Sequence, residues 1–162
     1  MHFTIAGSNR HLEVFDERNN NLGTLDYNTW RPHRATITTV NNITYDIAPT
    51  GFWLTTMAVT KSDMPFAEIK GIMGRGLRFI FATTAKTFMF KKKSFWNSDY
   101  VLVDEEDNQI AFIQSDFKWK TWSFHYEIDM NTDVFDSETN IVLPALLAYA
   151  ARYTRMRNSS AA

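Results

Sequence analysis

The feature that most constrains the fold is the segment 141–151, an apolar run near the end of a chain that otherwise alternates apolar and polar residues. It contains Pro144 but no charged residue, and a helical wheel gives it no polar side. A helix that is apolar all round has to be surrounded by protein on every side. Its eleven residues fall well short of the roughly 20 that a bilayer span needs. The segment therefore predicts a helix enclosed by the rest of the chain.

From Phe3 to Met130 the dominant period is two, which is typical of β-strands. Roughly a dozen short strands are indicated, including one over 51–58, separated by turns rich in Asn, Gly and Pro. A content of 15% aromatic residues suits a broad pleated surface. The alternation is clearest over 122–130, where one set is predicted to face the core and the other the solvent. The inward set is Trp122, Phe124, Tyr126, Ile128 and Met130, and the outward set is Ser123, His125, Glu127 and Asp129.

These two features together predict an antiparallel barrel threaded by its own last helix, over about 138–156. Asp136 or Ser137 is expected to cap this helix, with Pro144 in or near its first turn. Arginines at 152, 155 and 157 suit the negative end of the helix dipole. No linker or low-complexity tract interrupts the sequence, so residues 1–162 are predicted to form one domain.

One internal similarity is visible without gaps. Residues 14–25 align with residues 102–113, sharing two apolar residues, Asp-Glu, a polar turn with Asn, and a returning apolar stretch. Each copy reads as a β-hairpin whose Asp and Asn tolerate tight backbone geometry. Either the two hairpins are related, or two hairpins are alike by chance.

An all-β chain with such paired hairpins and a short hydrophobic C-terminal helix ending in arginines resembles the tubby C-terminal-like superfamily. Within it, the chain is most similar to the LURP-one-related group of small single-domain proteins, with residues 100–129 and 141–157 as the most specific part. The resemblance implies a twelve-strand barrel around a central helix. Relatives include phosphoinositide-binding tubby domains and membrane-associated scramblases, whereas most LURP-one-related proteins have no established activity. The sequence lacks the scramblase cysteine-rich segment, and the basic residues through which tubby contacts phosphoinositides have no position-by-position match.

Composition narrows the classes of function. The absence of Cys excludes disulfides and thiolate metal sites, and no cofactor or metal is expected. A net charge of −1 gives no global attraction for nucleic acid. The N-terminus has no signal-peptide pattern and no transmembrane segment is predicted, so the expected location is cytoplasmic, with peripheral membrane contact as an option.

Charge is nevertheless segregated along the chain. Residues 61–98 hold eight basic and two acidic side chains, a net charge of +6, whereas residues 99–138 hold two basic and eleven acidic ones, a net charge of −9. In the basic block, glycines 74 and 76 bring exposed loop amides close to guanidinium groups, which suits a phosphate. The alternative is a solvated strand edge with lysines that block edge pairing. The candidate anion-binding residues are Arg75, Arg78, Lys91, Lys92 and Lys93.

The other groups of polar and aromatic residues in the sequence are better explained by structural roles than by a site. The acidic run 104–108 fails the EF-hand pattern because its sixth and twelfth positions are Gln109 and Ser115, so a solvated hairpin tip is expected. His125 and Glu127 form a same-face pair rather than a catalytic one, and no nucleophile motif is present. Four tryptophans offer stacking surfaces if exposed, but most are interpreted as barrel filling: Trp53, Trp96, Trp119 and Trp122.

The resulting prediction is a non-enzymatic binding or scaffold module for anionic lipid or a phosphorylated ligand. A protein–protein interaction domain that uses either charged block is the alternative. A barrel that carries a small apolar ligand is a third class, disfavoured because a helix inside the barrel leaves no cavity.

Overall fold

The computed structural model describes residues 1–31, 33–51, 53 and 55–160, without the side chains of residues 159 and 160. It is a closed barrel of twelve antiparallel strands in sequential order, followed by one α-helix. A 3₁₀ turn, Thr132–Val134, leads from the last strand into the helix α1, Ser137–Ser160. The strands are β1 His2–Ser8, β2 His11–Asp16, β3 Asn21–Tyr27, β4 Ala35–Thr39, β5 Thr44–Thr50, β6 Thr56–Lys61, β7 Met64–Ile72, β8 Gly76–Phe81, β9 Thr87–Lys92, β10 Asp99–Val103, β11 Gln109–Lys118 and β12 Ser123–Met130.

The barrel is closed by antiparallel pairing of the first strand with the last. β1 pairs with β12 from His2 opposite Asp129 to Ser8 opposite Ser123, so the sheet has no edge. Along most strands buried residues alternate with more exposed ones, because successive side chains point to opposite faces of the sheet. The twelve-strand architecture predicted from the sequence is confirmed.

The helix is buried around its whole circumference, as its wheel predicted. Residues 142, 143 and 145–151 are at most 2% exposed, and Pro144 is also buried. The first residue of the apolar run, Ile141, is 37% exposed. The Asp136 carboxylate caps the helix by accepting a hydrogen bond from the Thr139 amide at 2.7 Å. Pro144 lies inside the helix rather than in its first turn, because the helix already begins at Ser137. Packing on all sides offsets the cost of a proline there.

Contacts at its two ends show that the helix runs from one mouth of the barrel to the other. Near its start, Glu138 accepts hydrogen bonds from the Tyr45 hydroxyl, at 2.6 Å, and from the Lys61 ammonium. Near its end, the Tyr149 hydroxyl donates to the His33 carbonyl at 2.6 Å, and the Arg152 guanidinium donates to the Asn9 carbonyl. Tyr45 and Lys61 lie at one end of their strands, and His33 and Asn9 lie in loops at the other.

Two predicted strand boundaries are wrong. The strand predicted over 51–58 is a connection followed by β6, which begins at Thr56; of that connection, Phe52 and Leu54 lie outside the described residues. Trp122 is not the first inward residue of β12 but part of the preceding turn, with φ 49° and 63% of its surface exposed. The rest of the alternation in β12 is confirmed, with Phe124 and Tyr126 inside and His125 on the outer wall.

The two hairpins that align in sequence share one hydrogen-bond pattern. Asp16 accepts from the amides of residues 18 and 20 and from the Asn20 side chain, at 2.9, 2.8 and 3.0 Å. Asp104 accepts from the amides of residues 106 and 108 and from the Asn108 side chain, at 3.0, 2.9 and 3.1 Å. These bonds hold the pKa of both carboxyl groups below its usual range, the bonds from the Asn residues contributing most.

Candidate functional site

The meander places every second connection at the same end of the barrel. The connections after the odd-numbered strands lie at the mouth where the helix ends, and we call their described residues the Trp face. The connections after the even-numbered strands lie at the mouth where the helix begins, and we call them the acidic end. The Trp face comprises residues 9–10, 28–31, 33–34, 51, 53, 55, 73–75, 93–98 and 119–122, and the acidic end comprises residues 17–20, 40–43, 62–63, 82–86, 104–108 and 131–136.

The Trp face carries all the exposed Trp, Phe and Tyr side chains of the described residues. It also carries Met73, which is 94% exposed. Globular surfaces seldom leave so many large apolar side chains in water without a binding role. The exposed fractions are 90% for Trp30, 81% for Trp53, 85% for Phe95, 90% for Trp96, 69% for Trp119 and 63% for Trp122.

These tryptophans correct the interpretation of Trp53, Trp96, Trp119 and Trp122 as barrel filling. The barrel is filled by Phe, Tyr and aliphatic side chains from the strands and by the helix, so it needs no Trp. Residue type alone suggested a core position, since Trp is buried on average. Numbering the strands would have revealed the face, because Trp occurs only in connections after odd-numbered strands, and these connections all lie at one end of the barrel.

The two ends of the barrel carry opposite charge. The Trp face holds six basic residues and no acidic one: Arg10, Arg31, Arg34, Arg75, Lys93 and Lys120. The acidic end holds two basic residues, Arg18 and Lys86, and eight acidic ones: Glu17, Asp63, Asp104, Glu105, Glu106, Asp107, Asp133 and Asp136. The ion pairs of the described chain involve none of the six basic residues of the Trp face. A near-neutral chain thus has a strong charge polarity along the barrel axis.

Local contacts order some of the segments that carry these aromatic side chains. The Asn28 side chain accepts hydrogen bonds from the amides of Trp30 and Arg31 at 3.0 and 3.1 Å, which fixes their turn. The rings of Phe95 and Trp96 meet edge to face with centroids 5.4 Å apart. Trp122 has the left-handed φ of 49°, an uncommon conformation for so bulky a residue.

The five predicted anion-binding residues are only partly brought together. Arg75, Lys91 and Lys92 line one open groove, about 810 Å³ in volume, beside the last turns of the helix, whereas Arg78 and Lys93 do not line it. Arg78 lies on the outer wall of β8. The Lys91 ammonium is paired with the Asp107 carboxylate at 3.1 Å, and the Lys93 ammonium lies 4.4 Å from the centre of the Phe112 ring.

Side-chain alternation explains the separation of the lysines. Lys91 points to the outer wall like Met89, whereas Lys92 lies on the same side of β9 as the buried Phe88 and Phe90. Neighbouring positions in a basic run on a strand therefore serve different surfaces. Of the five, only Arg75 and Lys93 belong to the Trp face.

A second polar cluster lies on the outer wall, on β1 and β12. Glu127 accepts from the ring nitrogens of His2 and His125, each at 2.5 Å, and from the Thr4 hydroxyl at 3.1 Å. The other ring nitrogen of His2 lies 2.8 Å from Asp129, and this hydrogen bond is the main reason that the pKa of His2 is raised. Burial alone would raise the pKa of Glu127, but its hydrogen bonds from His125, His2 and Thr4 outweigh burial and lower it.

Among the described residues, no group of three or more His, Cys, Asp or Glu side chains is arranged to hold a metal ion. In that same part of the chain, no helix combines the length and the apolarity needed to cross a bilayer. Comparison with protein-family models, with curated proteins and with solved structures found no match.

Proposed function

We propose that this protein is a peripheral binding module that docks its Trp face end-on onto an anionic lipid surface. The observation that carries the proposal is the composition of the Trp face. It brings together every exposed Trp, Phe and Tyr side chain of the described chain and six basic residues, and it holds no acidic residue. Trp belongs at the membrane–water interface, where its ring is apolar and its N–H stays hydrated. Basic residues near an anionic surface add about 1 kcal/mol each.

The charge polarity fixes the orientation. The anionic surface attracts the Trp face and repels the acidic end, so the barrel axis stands close to the membrane normal. In this orientation the acidic end is presented away from the membrane. The proposed location is the cytoplasmic side of a membrane, without a span. A phosphorylated ligand, the other anion predicted from the sequence, would contact the same basic residues.

The second candidate is a protein partner for the same face. Exposed apolar patches rimmed by polar residues also mark protein interfaces, and Trp and Arg are the residues that such interfaces favour. The complete absence of acidic residues favours the lipid surface, because protein partners offer both signs of charge. A relationship to the tubby-like superfamily remains a hypothesis: it implies the barrel-and-helix architecture found here, and no comparison supports it.

Vesicle co-sedimentation with charge-reversal variants tests the proposal. Arg31→Glu and Lys120→Glu each remove one attraction and add one repulsion, which amounts to about 2 kcal/mol or about a 30-fold weaker affinity for phosphatidylserine-containing vesicles. Lys86→Glu is the matched control, because Lys86 is an equally exposed basic residue at the acidic end.

Wild type and the Lys86 variant should bind alike at low salt, and both should bind more weakly at 0.15 M salt, where the Debye length is about 8 Å. Equal, negligible sedimentation of all four proteins at low salt would refute the lipid surface and leave the protein partner. The triple variant Lys91→Ala, Lys92→Ala, Lys93→Ala should lose less than Lys120→Glu, because of these three lysines only Lys93 lies on the Trp face.

A further inference from the structure

The open groove beside the end of the helix has the dimensions and lining of a ligand site. Its volume of about 810 Å³ lies in the range of small-molecule pockets. It begins at the β7–β8 turn, which belongs to the Trp face, and reaches the β10–β11 turn, which belongs to the acidic end. One wall is the last part of α1, at residues 153–158. The groove is open to solvent and contacts the helix only within residues 153–158, so the enclosed segment 142–151 does not block it.

The floor of the groove is apolar. Its buried apolar lining consists of Leu77, Phe90 and Tyr153, which also belong to the barrel core, and of Val103, while the more accessible side chain of Met89 lies on its outer side. Such a surface accepts a hydrocarbon chain, because each buried CH₂ strengthens binding.

The ends of the groove differ in charge. At the end next to the Trp face, the groove is lined by Arg75, Lys92 and Arg157. At the other end stand the carboxylates of Asp104 and Glu105, and that of Asp107, which is already paired with Lys91. An anionic head group is attracted to the first end and repelled from the second, so a bound amphiphile has one favourable orientation.

We propose that this groove binds a single-chain anionic amphiphile, with the head group at Arg75 and Lys92 and the chain along the apolar floor. The head group can be a carboxylate or a phosphate, because both accept charge-assisted hydrogen bonds from Arg and Lys. This site is additional to the docking surface and does not rest on it, since the ligand is bound as a monomer. The groove opens at the Trp face, where a lipid would enter from a docked membrane.

Calorimetric titration with monomeric amphiphiles tests the site. Octyl, decyl and dodecyl phosphate, and the fatty acids of the same lengths, are used below their micelle concentrations. The dissociation constant should tighten by up to about fourfold for each added CH₂. Dodecyltrimethylammonium, with the same chain and a cationic head, should bind at least about tenfold more weakly. The phosphate and fatty-acid series distinguish the two head groups.

Two matched variants locate the site. Met89→Glu puts a carboxylate on the side of the groove and should weaken dodecyl phosphate binding at least about tenfold. Ile80→Glu is the control, because Ile80 is half-buried on the outer wall of the neighbouring strand but does not line the groove. Arg75→Ala combined with Lys92→Ala should weaken the anionic amphiphiles and leave the cationic one unchanged.

Equal binding by the Met89 and Ile80 variants, no dependence on chain length, or equal affinity for the cationic amphiphile would overturn the proposal. A thermal unfolding curve for each variant verifies that it is folded before titration. The measurement contains no vesicles, so its outcome is separate from that of the docking experiment.

Discussion

The helix segment 142–151 and the Trp face are both rich in apolar side chains, but the barrel encloses one and leaves the other in water. The helix residues 142, 143 and 145–151 are at most 2% exposed, whereas Trp30 and Trp96 are 90% exposed. The enclosed segment supplies stability, because burying apolar surface drives folding. The exposed face contributes little to stability, and the proposed binding function gives its apolar side chains a role. Apolar side chains thus occur in two different settings in this chain, and only the topology tells them apart.

The largest expected difference between the two regions is the loss of stability when a lysine is introduced into each of them. Leu146→Lys should lower the free energy of unfolding by more than about 4 kcal/mol, because the helix interior offers an ammonium group no partner. Trp96→Lys should change it by no more than about 0.5 kcal/mol, because Trp96 is already in water. Urea unfolding of both variants measures the difference. Similar losses in the two variants would show that the helix is not the core or that the face is not exposed.

Trp122 and Phe124 allow the same comparison within the alternating segment 122–130, because one side chain is exposed and the other is buried. Phe124→Ala should cost about 3–5 kcal/mol, because a buried ring is removed. Trp122→Gly should change stability by less than about 1 kcal/mol, since relief of the left-handed φ offsets the extra freedom of the unfolded chain. The same variant should bind anionic vesicles more weakly. A stability loss at Trp122 as large as that at Phe124 would place its ring in the core.

The smallest expected effect concerns the wall between the two ends, where His2 contacts Asp129 and Glu127. Because the folded-state pKa of His2 is raised, its contribution is complete below the unfolded pKa and is lost as pH rises through the folded pKa. Because the pKa of Glu127 is lowered, its contribution is lost as pH falls through its folded pKa. In urea unfolding measured at several pH values, the wild type should lose less than about 1 kcal/mol of unfolding free energy as the pH rises through the folded-state pKa of His2. His2→Gln should not show this loss. An unchanged profile in the variant would refute this role of His2.

The architecture could be predicted from the sequence because two independent periodicities agree. A period of two over most of the chain and a wheel without a polar side leave few arrangements other than a barrel around its last helix. The prediction failed locally at Pro144, at Trp122 and over 51–58. In each case the true boundary depends on where a strand or helix starts, which periodicity does not determine.

The Trp face was missed because it is assembled from connections far apart in sequence. Reading Trp53 and Trp122 as strand residues put both of them in the core. The basic block was treated as one unit because its residues are neighbours along the chain. Alternation on β9 then sends Lys91 and Lys92 to different surfaces. Counting the strands first, and asking which connections share an end, would have grouped the tryptophans.

Intrinsic fluorescence tests the central claim most directly, because all five tryptophans of the chain lie on the Trp face. In the free protein they should emit as water-exposed residues. Phosphatidylserine-containing vesicles at low salt should shift the emission to shorter wavelength, and lipids with brominated acyl chains should quench it. Pure phosphatidylcholine vesicles should have a much smaller effect. Emission that is the same with and without anionic vesicles at low salt, and that brominated lipids do not quench, would contradict the account.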